Sequence, residues 1–346
     1  MRPLRILLAG HFRSNMHYGI MQKLQHGFIR LGHTVLHFDD RLIARGSTPF
    51  LSRQFGLPAM NAAFVRYCRE YKPQIILLGH TEMILNTTLA AVRLFLPEVR
   101  IAYRNVDPLF QKQNFLDIKN RLNSVDTVFI TTAGAALSPL SGNKAKVYFM
   151  PNPVDISMET GQAFSFTNQG TDVFYAIGGI MKNDQRPPFL ETLQQACPDV
   201  RFRLPGMKQG YIGGAAYLEA LADAKMGLSL SRRNDNYLYS SDRMAQYIGN
   251  GLLTFVDRAT GFTDLFTEEE LGFYSNIDEL SEKIRFYTNH DTTRQEVAKA
   301  GWQSIHNRFA SDRVAQYIID RTMDQPLSRA YEWPTDAAGL FQEQKS

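Results

Sequence analysis

A polar loop in the second half of the chain combines cations, hydroxyl groups and the start of a helix. It spans residues 232–243 and follows the apolar stretch 226–231. The free amides of a helix N-terminus and a guanidinium group both bind anions. The loop is therefore predicted to hold a diphosphate. The candidate contacts are Arg232, Tyr239, Ser240, Ser241, Asp242 and Arg243.

A second loop of the same half, residues 178–186, links an apolar stretch to a helix that begins with two prolines. Gly179 permits close approach of the backbone to a ligand, while Lys182 and Arg186 can pair with phosphate oxygens. The alternative is a solvated loop that carries two surface cations.

The first half of the chain places imidazoles and polar groups after its first apolar stretch. His11 can act as a general base towards a hydroxyl, because an imidazole is about half deprotonated near neutral pH. Arg13 and Asn15 share its loop. The alternative role of His11 is a hydrogen bond within that loop. The sequence contains no G-x-G-x-x-G pattern, which weakens a dehydrogenase interpretation.

Two further loops of the first half follow apolar stretches and could line the same site. One contains His80 and Glu82, and the other contains Arg104 and Asp107. A carboxylate or an imidazole at such a position can orient a hydroxyl group. For Asp107, capping a helix is an equally simple alternative.

Short apolar stretches alternate with amphipathic ones along the whole chain, which predicts two parallel, doubly wound α/β sheets. We predict two Rossmann-like domains facing a cleft, with ligands beyond the carboxyl ends of the strands. Pro151 and Pro153 mark the change of domain. The predicted limits are 1–150 for the first domain, 151–170 for a linker, 171–322 for the second domain and 323–346 for a polar tail.

The charge of the chain is unevenly distributed. The 346 residues contain 38 Lys plus Arg and 34 Asp plus Glu, but residues 1–150 hold 19 of these cations and 8 of these anions. A basic half can be attracted to an anionic membrane leaflet or to nucleic acid, and the alternative is an uneven distribution of surface charge without function. No nucleic-acid recognition motif accompanies it, so nucleic acid is not an expected partner.

Cysteine content and hydropathy point to a cytoplasmic protein. Cys68 and Cys197 are far apart and form no metal-binding or disulfide pattern. No apolar stretch approaches the roughly 20 residues that a spanning helix needs. The apolar run 4–9 is too short for the core of a signal peptide. We expect a cytoplasmic location, with peripheral contact at the inner membrane as an option.

The stretch 241–254, Ser-Asp-Arg-Met-Ala-Gln-Tyr-Ile-Gly-Asn-Gly-Leu-Leu-Thr, resembles the C-terminal signature of GT-B glycosyltransferases, especially the spore-maturation-protein group. Residues 125–132 and 150–155 are similar to the last strands and the linker of the N-terminal domain in such enzymes. The chain departs from the signature at Gln246, where these transferases usually have a glutamate that binds the donor ribose. An amide can still make hydrogen bonds there, although donor preference could differ.

The resemblance implies that the second domain binds a nucleotide-sugar and the first binds a glycan, lipid-linked or protein acceptor, in the synthesis of a cell-surface glycan. It implies no separate cofactor, since the nucleotide-sugar is a substrate. Cations and helix amides would stabilise the leaving diphosphate without a metal. The implied donor contacts are the two loops described above together with Gln246. The implied acceptor contacts are Arg13, Asn15, His80, Glu82 and Arg104.

The stereochemical course stays open at this point. For inversion, His11 or Asp107 would be the base. For retention, no base is needed, and Lys182, Arg186 and Arg243 would carry most of the catalysis. Two other functions remain as alternatives: a nucleotide-sugar epimerase of the same architecture, and a non-catalytic protein with two lobes that binds a ligand.

Overall fold

The computed structural model describes residues 2–12, 19–48, 52–79, 81–207 and 209–337. Three predicted acceptor contacts, Arg13, Asn15 and His80, lie outside these residues. The described residues form two compact units, and each is described by itself. The first unit comprises 2–12, 19–151 and 311–337, and the second comprises 152–310.

The first unit is built on a sheet of six parallel strands in the order β2-β1-β3-β4-β5-β6. β1, β3 and β5 are buried on consecutive residues, as expected for strands covered on both faces. The strands are β1 Arg5–Gly10, β2 Thr34–Asp39, β3 Ile75–Gly79, β4 Arg100–Asn105, β5 Thr127–Ile130 and β6 Lys146–Phe149. The helices between them are α1 Ile20–Arg30, α2 Asp40–Gly46, α3 Leu57–Tyr71, α4 Asn86–Phe95 and α5 Lys112–Arg121.

The second unit contains a parallel sheet of five strands in the order β11-β10-β9-β7-β8. The strands are β7 Thr171–Phe174, β8 Phe202–Arg203, β9 Ala224–Ser229, β10 Leu253–Asp257 and β11 Gly272–Tyr274. The helices are α6 Arg186–Ala196, α7 Ala215–Ala222, α8 Asp242–Gly249, α9 Ile277–Asn289 and α10 Asp291–Arg308. Asn276 caps α9, because its side chain accepts a hydrogen bond from the amide of Glu279 at 2.9 Å.

The last helix, α11 Ser311–Thr322, packs in the first unit rather than in the predicted second domain. It lies directly against α1: a Cβ added to Gly27 would come within 2.2 Å of the carbonyl oxygen of Ser311. Arg30 donates from Nη1 to Ser311 Oγ at 3.0 Å, and Tyr317 packs edge-on against Phe129. The predicted boundary at 322 is therefore corrected to 310, because the apolar face of α11 is buried on the first sheet.

Within the predicted polar tail, residues 324–332 are mostly exposed and residues 333–335 are buried. Trp333 is only 1% exposed and packs against Tyr317 and Tyr331, with ring centroids 5.6 and 4.7 Å away. Buried aromatic area of this size fixes a segment that composition alone describes as polar.

Apart from Pro151, the predicted linker is part of the second unit. The amide of Val154 donates to the carbonyl of Phe309 at 3.0 Å, and Ala163 and Phe164 are buried in the apolar core of that unit. Among the residues described, no helix is long and apolar enough to cross a membrane.

Candidate functional site

Arg243 connects the carboxyl ends of two neighbouring strands in the second unit. β7 and β9 are paired in parallel, so the residues that follow them meet at one edge of the sheet. From the first turn of α8, Arg243 donates Nη1 to the carbonyl of Ala176 at 3.1 Å and Nη2 to the carbonyl of Leu230 at 3.0 Å. Its guanidinium carbon lies 4.9 Å from the ring centroid of Tyr175. This planar group is held rigidly by hydrogen bonds and stacking.

One donor of Arg243 is not used by the protein. Its Nε is buried and makes no hydrogen bond to any residue that the structure describes, although the side chain as a whole is partly exposed. A buried donor without an acceptor costs free energy unless a ligand or water supplies the acceptor. The anion contact of Arg243 stays a prediction.

Arg186, the other predicted catalytic cation, is only 5% exposed and bonds within its own loop. Its Nη2 lies 2.6 Å from Asp184 Oδ2 and donates to the carbonyl of Gly179 at 2.8 Å. Hydrogen bonding from Arg186 lowers the pKa of Asp184 to about 2, against the opposing effect of burial. Arg186 therefore fixes the shape of the loop, with its charge neutralised by Asp184.

The rest of this loop is open. Gly178, Gly179 and Lys182 are exposed, and a Cβ added to either glycine would have no atom within 4 Å among the described residues beyond its chain neighbours. Arg186 Nη1 also approaches the hydroxyl of Tyr175 at 3.4 Å, which places the loop beside the ring that supports Arg243. The structure thus brings the two predicted donor loops together through Tyr175.

The polar loop before α8 divides into buried and accessible residues. Tyr239 and Ser240 are buried, and the carbonyl of Ser240 accepts a hydrogen bond from Asn152 Nδ2 at 3.1 Å. Arg232 and Ser241 are partly exposed. Ser241 is the N-cap residue of α8, and its side chain makes no capping hydrogen bond. The first amides of α8 are therefore not capped by that hydroxyl.

Gln246 is buried and uses both ends of its amide. Its Nε2 donates to Asp242 Oδ2 at 2.8 Å, and its Oε1 accepts from the hydroxyl of Tyr217 at 2.7 Å. Tyr217 comes from α7, so the three side chains connect α7 and α8 next to Arg243. This network was not predicted from the sequence.

In the first unit, the strand ends that carry predicted site residues are adjacent. Gly10 of β1 pairs in register with Gly79 of β3, and Gly79 pairs with Arg104 of β4. Gly10 has φ of 152°, and a Cβ there would lie 1.8 Å from the carbonyl oxygen of Gly79. Only glycine fits this close approach. His11 and Arg104 thus stand at one edge of the sheet.

His11 lies beside a carboxylate. Its Nδ1 is 4.0 Å from Asp39 Oδ2 at the end of β2. Asp39 is held in place because it accepts hydrogen bonds from the amides of Phe12 at 3.1 Å and Leu42 at 2.8 Å. This distance is longer than a hydrogen bond, so the structure places a fixed carboxylate beside the imidazole.

The other predicted residues of the first unit differ in accessibility. Arg104 is buried, whereas Asp107 is exposed and Glu82 lies 3.9 Å from Arg41. Asp107 does not cap α5, whose N-cap is Gln111; instead its amide donates to Asn105 Oδ1 at 3.0 Å. The capping alternative for Asp107 is therefore wrong for this helix.

Part of the chain matches a known protein family. Residues 186–320 match a family model described as glycosyl transferase-like. No curated protein sequence matches the chain significantly.

The solved structures that resemble the chain are low in sequence identity and high in coverage. An α-glucosyltransferase in complex with UDP and DNA superposes with a TM-score of 0.67 at 12% identity, covering 93% of this chain and 100% of its own. Sucrose-phosphate synthase from Thermosynechococcus elongatus gives 0.62 at 12%, covering 90% and 96%. Anabaena HepE in complex with UDP and glucose gives 0.60 at 14%, covering 92% and 98%.

The predicted GT-B fold and the resemblance to glycosyltransferases are confirmed. The family match begins at Arg186 and extends through α8, so it contains Arg243, Gln246 and Asp242. Most of the matching residues, 186–310, belong to the second unit, and the remainder belong to α11 of the first unit.

Sequence reasoning missed several residues of these GT-B units. Tyr175 and Tyr217 occur in segments that read as ordinary apolar strand ends and helices, and only the fold places them against Arg243 and Gln246. Asp39 and Asp40 had a usable signal, because two consecutive carboxylates follow directly after β2.

Asp40 is a buried acid that directly follows Asp39 in the sequence. It is 0% exposed at the start of α2. Burial raises its pKa to about 6, against the opposing effects of the Arg41 amide, the Arg41 charge and the Thr81 hydroxyl. Across the described ranges, no three His, Cys, Asp or Glu side chains lie close enough together to hold a metal ion.

Proposed function

We propose that the protein transfers a sugar from a nucleotide-sugar, with a uridine diphosphate leaving group, to a glycan, lipid-linked or protein acceptor. The observation that carries the proposal is the position of Arg243 at the carboxyl edge of the second sheet, with a buried and unused Nε donor. The match of residues 186–320 to a glycosyl transferase-like family and the UDP complexes of similar folds support the same chemistry.

In the reaction we propose, a hydroxyl oxygen of the acceptor forms a bond to the anomeric carbon. The bond from that carbon to the diphosphate oxygen breaks, and negative charge develops on the diphosphate. Arg243, Lys182 and the first amides of α8 stabilise this charge, since donors fixed in advance need no reorganisation during the reaction. These cations support transfer without a divalent metal.

The proton of the acceptor hydroxyl needs a destination. For an inverting reaction, we propose that His11 accepts it and that Asp39 orients the imidazole. For a retaining reaction, the leaving diphosphate accepts it on the face of attack. The configuration of the product linkage distinguishes these two routes.

The experiment that tests the proposal combines binding with turnover. Purified protein is screened for thermal stabilisation by nucleoside diphosphates, because a ligand of the folded state raises the melting temperature with concentration. UDP-sugars are then incubated with and without acceptors, with EDTA or with Mg²⁺. We expect stabilisation by UDP and transfer that persists in EDTA. Strict dependence on added metal would contradict the metal-independent route, and isomerised sugar without acceptor would indicate an epimerase.

A further inference from the structure

Helix α2 and the residues before α3 are adjacent in the first unit. A Cβ added to Gly56 would lie 1.8 Å from the carbonyl oxygen of Ala44, so the two backbones are in direct contact. Leu42 and Arg45 are three residues apart on α2 and therefore share a side of that helix. Arg53 and Phe55 precede the contact at Gly56. We call these four residues, Leu42, Arg45, Arg53 and Phe55, the α2 surface.

Two large apolar side chains on this surface are exposed to solvent. Leu42 is 68% exposed and Phe55 is 77% exposed. Single exposed apolar residues are common on soluble proteins, but exposed apolar residues on adjacent segments that also carry cations are typical of surfaces that bind a partner. Burial of both side chains against that partner would remove their apolar area from water.

The charged residues of this part of the chain all have the same sign. Within the described segments 41–48 and 52–56, each charged residue is an arginine: Arg41, Arg45 and Arg53. Glu82 lies 3.9 Å from Arg41 and offsets its charge, whereas Arg45 and Arg53 are exposed. Asp39 and Asp40 precede them but are buried. The α2 surface is therefore cationic and apolar together.

We propose that the α2 surface docks the protein on a bilayer of anionic phospholipids. Leu42 and Phe55 enter the boundary between headgroups and acyl chains, while Arg45 and Arg53 bind lipid phosphates. Duplex nucleic acid is the competing partner for arginines, but it offers no apolar phase for an exposed leucine. The inference rests on the proposed function only in that the bilayer would be the source of a lipid-linked acceptor.

The test uses the full chain and vesicles without nucleotide. Sedimentation is measured with vesicles of phosphatidylglycerol and phosphatidylcholine, and with phosphatidylcholine alone. We expect binding to the anionic vesicles that weakens with salt. Each arginine near an anionic surface contributes about a fivefold change in partitioning, so Arg45→Glu with Arg53→Glu should lower it by more than about twentyfold. Leu42→Ser with Phe55→Ser should lower it and leave the remainder strongly salt-sensitive.

Matched controls come from other helices of the same unit. Leu94→Ser changes an 88% exposed leucine on α4, and Lys112→Glu with Lys119→Glu reverses two exposed cations on α5. We expect the controls to bind vesicles nearly as the parent protein does. Melting temperatures verify that all variants fold.

Three outcomes would overturn the proposal. They are no vesicle binding by the parent protein, equal losses in the variants and the controls, and binding of a short DNA duplex that the arginine variant abolishes while vesicles are ignored. UDP binding by the same preparations is measured separately. Failure of membrane docking with intact UDP binding would leave the proposed function standing, and the reverse result would leave the docking surface standing.

Discussion

Gln246 Nε2 donates a hydrogen bond to Asp242 Oδ2 at 2.8 Å, one turn earlier on α8. The Oε1 of the same amide accepts from the hydroxyl of Tyr217 at 2.7 Å. A glutamate at position 246, which the family resemblance favours, would have no proton to give to the Asp242 carboxylate at neutral pH. The carboxylate of Asp242 therefore explains why position 246 carries an amide and not a carboxylate.

We expect Gln246→Glu to destabilise the protein at neutral pH by roughly 1–3 kcal/mol, because two carboxylates would share a hydrogen-bonding distance. Repulsion raises the pKa of one carboxyl above its value in the unfolded chain. The folded state then binds more protons than the unfolded state in that window, so stability falls as pH rises through it. Urea unfolding at pH 5 and pH 8 measures this.

The control for that prediction is the double variant Gln246→Glu with Asp242→Asn. This variant has the amide at position 242 and the carboxylate at position 246, so the hydrogen bond can form again and most of the lost stability should return. Equal stability of Gln246→Glu at both pH values would show that the two side chains do not interact in solution.

We expect Arg243→Lys to weaken UDP binding by about tenfold or more, although the charge is kept. An ammonium group cannot bond two carbonyls, stack on Tyr175 and keep a third donor for phosphate at the same time. Titration calorimetry with UDP measures the affinity. The matched control is Arg233→Lys, an exposed arginine of the same loop paired with Asp235. Similar affinities of Arg243→Lys and the parent protein would remove Arg243 from the donor site.

We expect Asp184→Asn to cost about 3–5 kcal/mol of stability at pH 7, because Arg186 is buried and would lose its counter-charge. The pKa of Asp184 is lowered to about 2, so its contribution is present above the unfolded value of about 4 and is lost as pH falls towards 2. The variant should therefore show a flatter stability profile below pH 4. Asp235→Asn removes an exposed ion pair and should leave the stability unchanged within the error of the measurement.

The fold was predictable because its signals are local. Each strand of the first sheet is a short apolar stretch, and helix stop signals separate them. The position of α11 was not predictable, since nothing near Ser311 indicates that the chain returns to α1, where Gly27 admits it. Burial of Trp333 depends on the same return.

The candidate site was predictable as a set of loops but not as a set of contacts. Arg186 and Arg243 read alike in the sequence, as cations at the starts of helices. The structure shows that they differ, because Asp184 neutralises Arg186, whereas the guanidinium of Arg243 lies against the ring of Tyr175. Such distinctions depend on neighbours that are distant in sequence or that turn towards the side chain only in the fold.

We expect Asp40→Asn to stabilise the protein above pH 6 by on the order of 2 kcal/mol. Burial raises the pKa of Asp40 to about 6, so the folded state favours the protonated acid. The contribution of Asp40 to the free energy of unfolding is therefore fully present below about pH 4 and is lost as pH rises through 6. The variant and the parent protein should therefore have similar stabilities at pH 4 and diverge at pH 8. Glu70→Gln, at an exposed position of α3, is the control, and equal profiles for Asp40→Asn and the parent protein would contradict the assignment.

The last prediction concerns His11 and Asp39, which we propose as base and orienting group. For an inverting reaction, His11→Ala should lower kcat by about 100-fold or more with little change in KM for the donor. Asp39→Asn removes the carboxylate charge 4.0 Å from the imidazole, so kcat should also fall, by less than in His11→Ala. His290 is an exposed histidine of the second unit, and His290→Gln should leave kcat and KM unchanged. An unaltered kcat in His11→Ala would exclude this base and favour retention, in which the diphosphate itself accepts the proton.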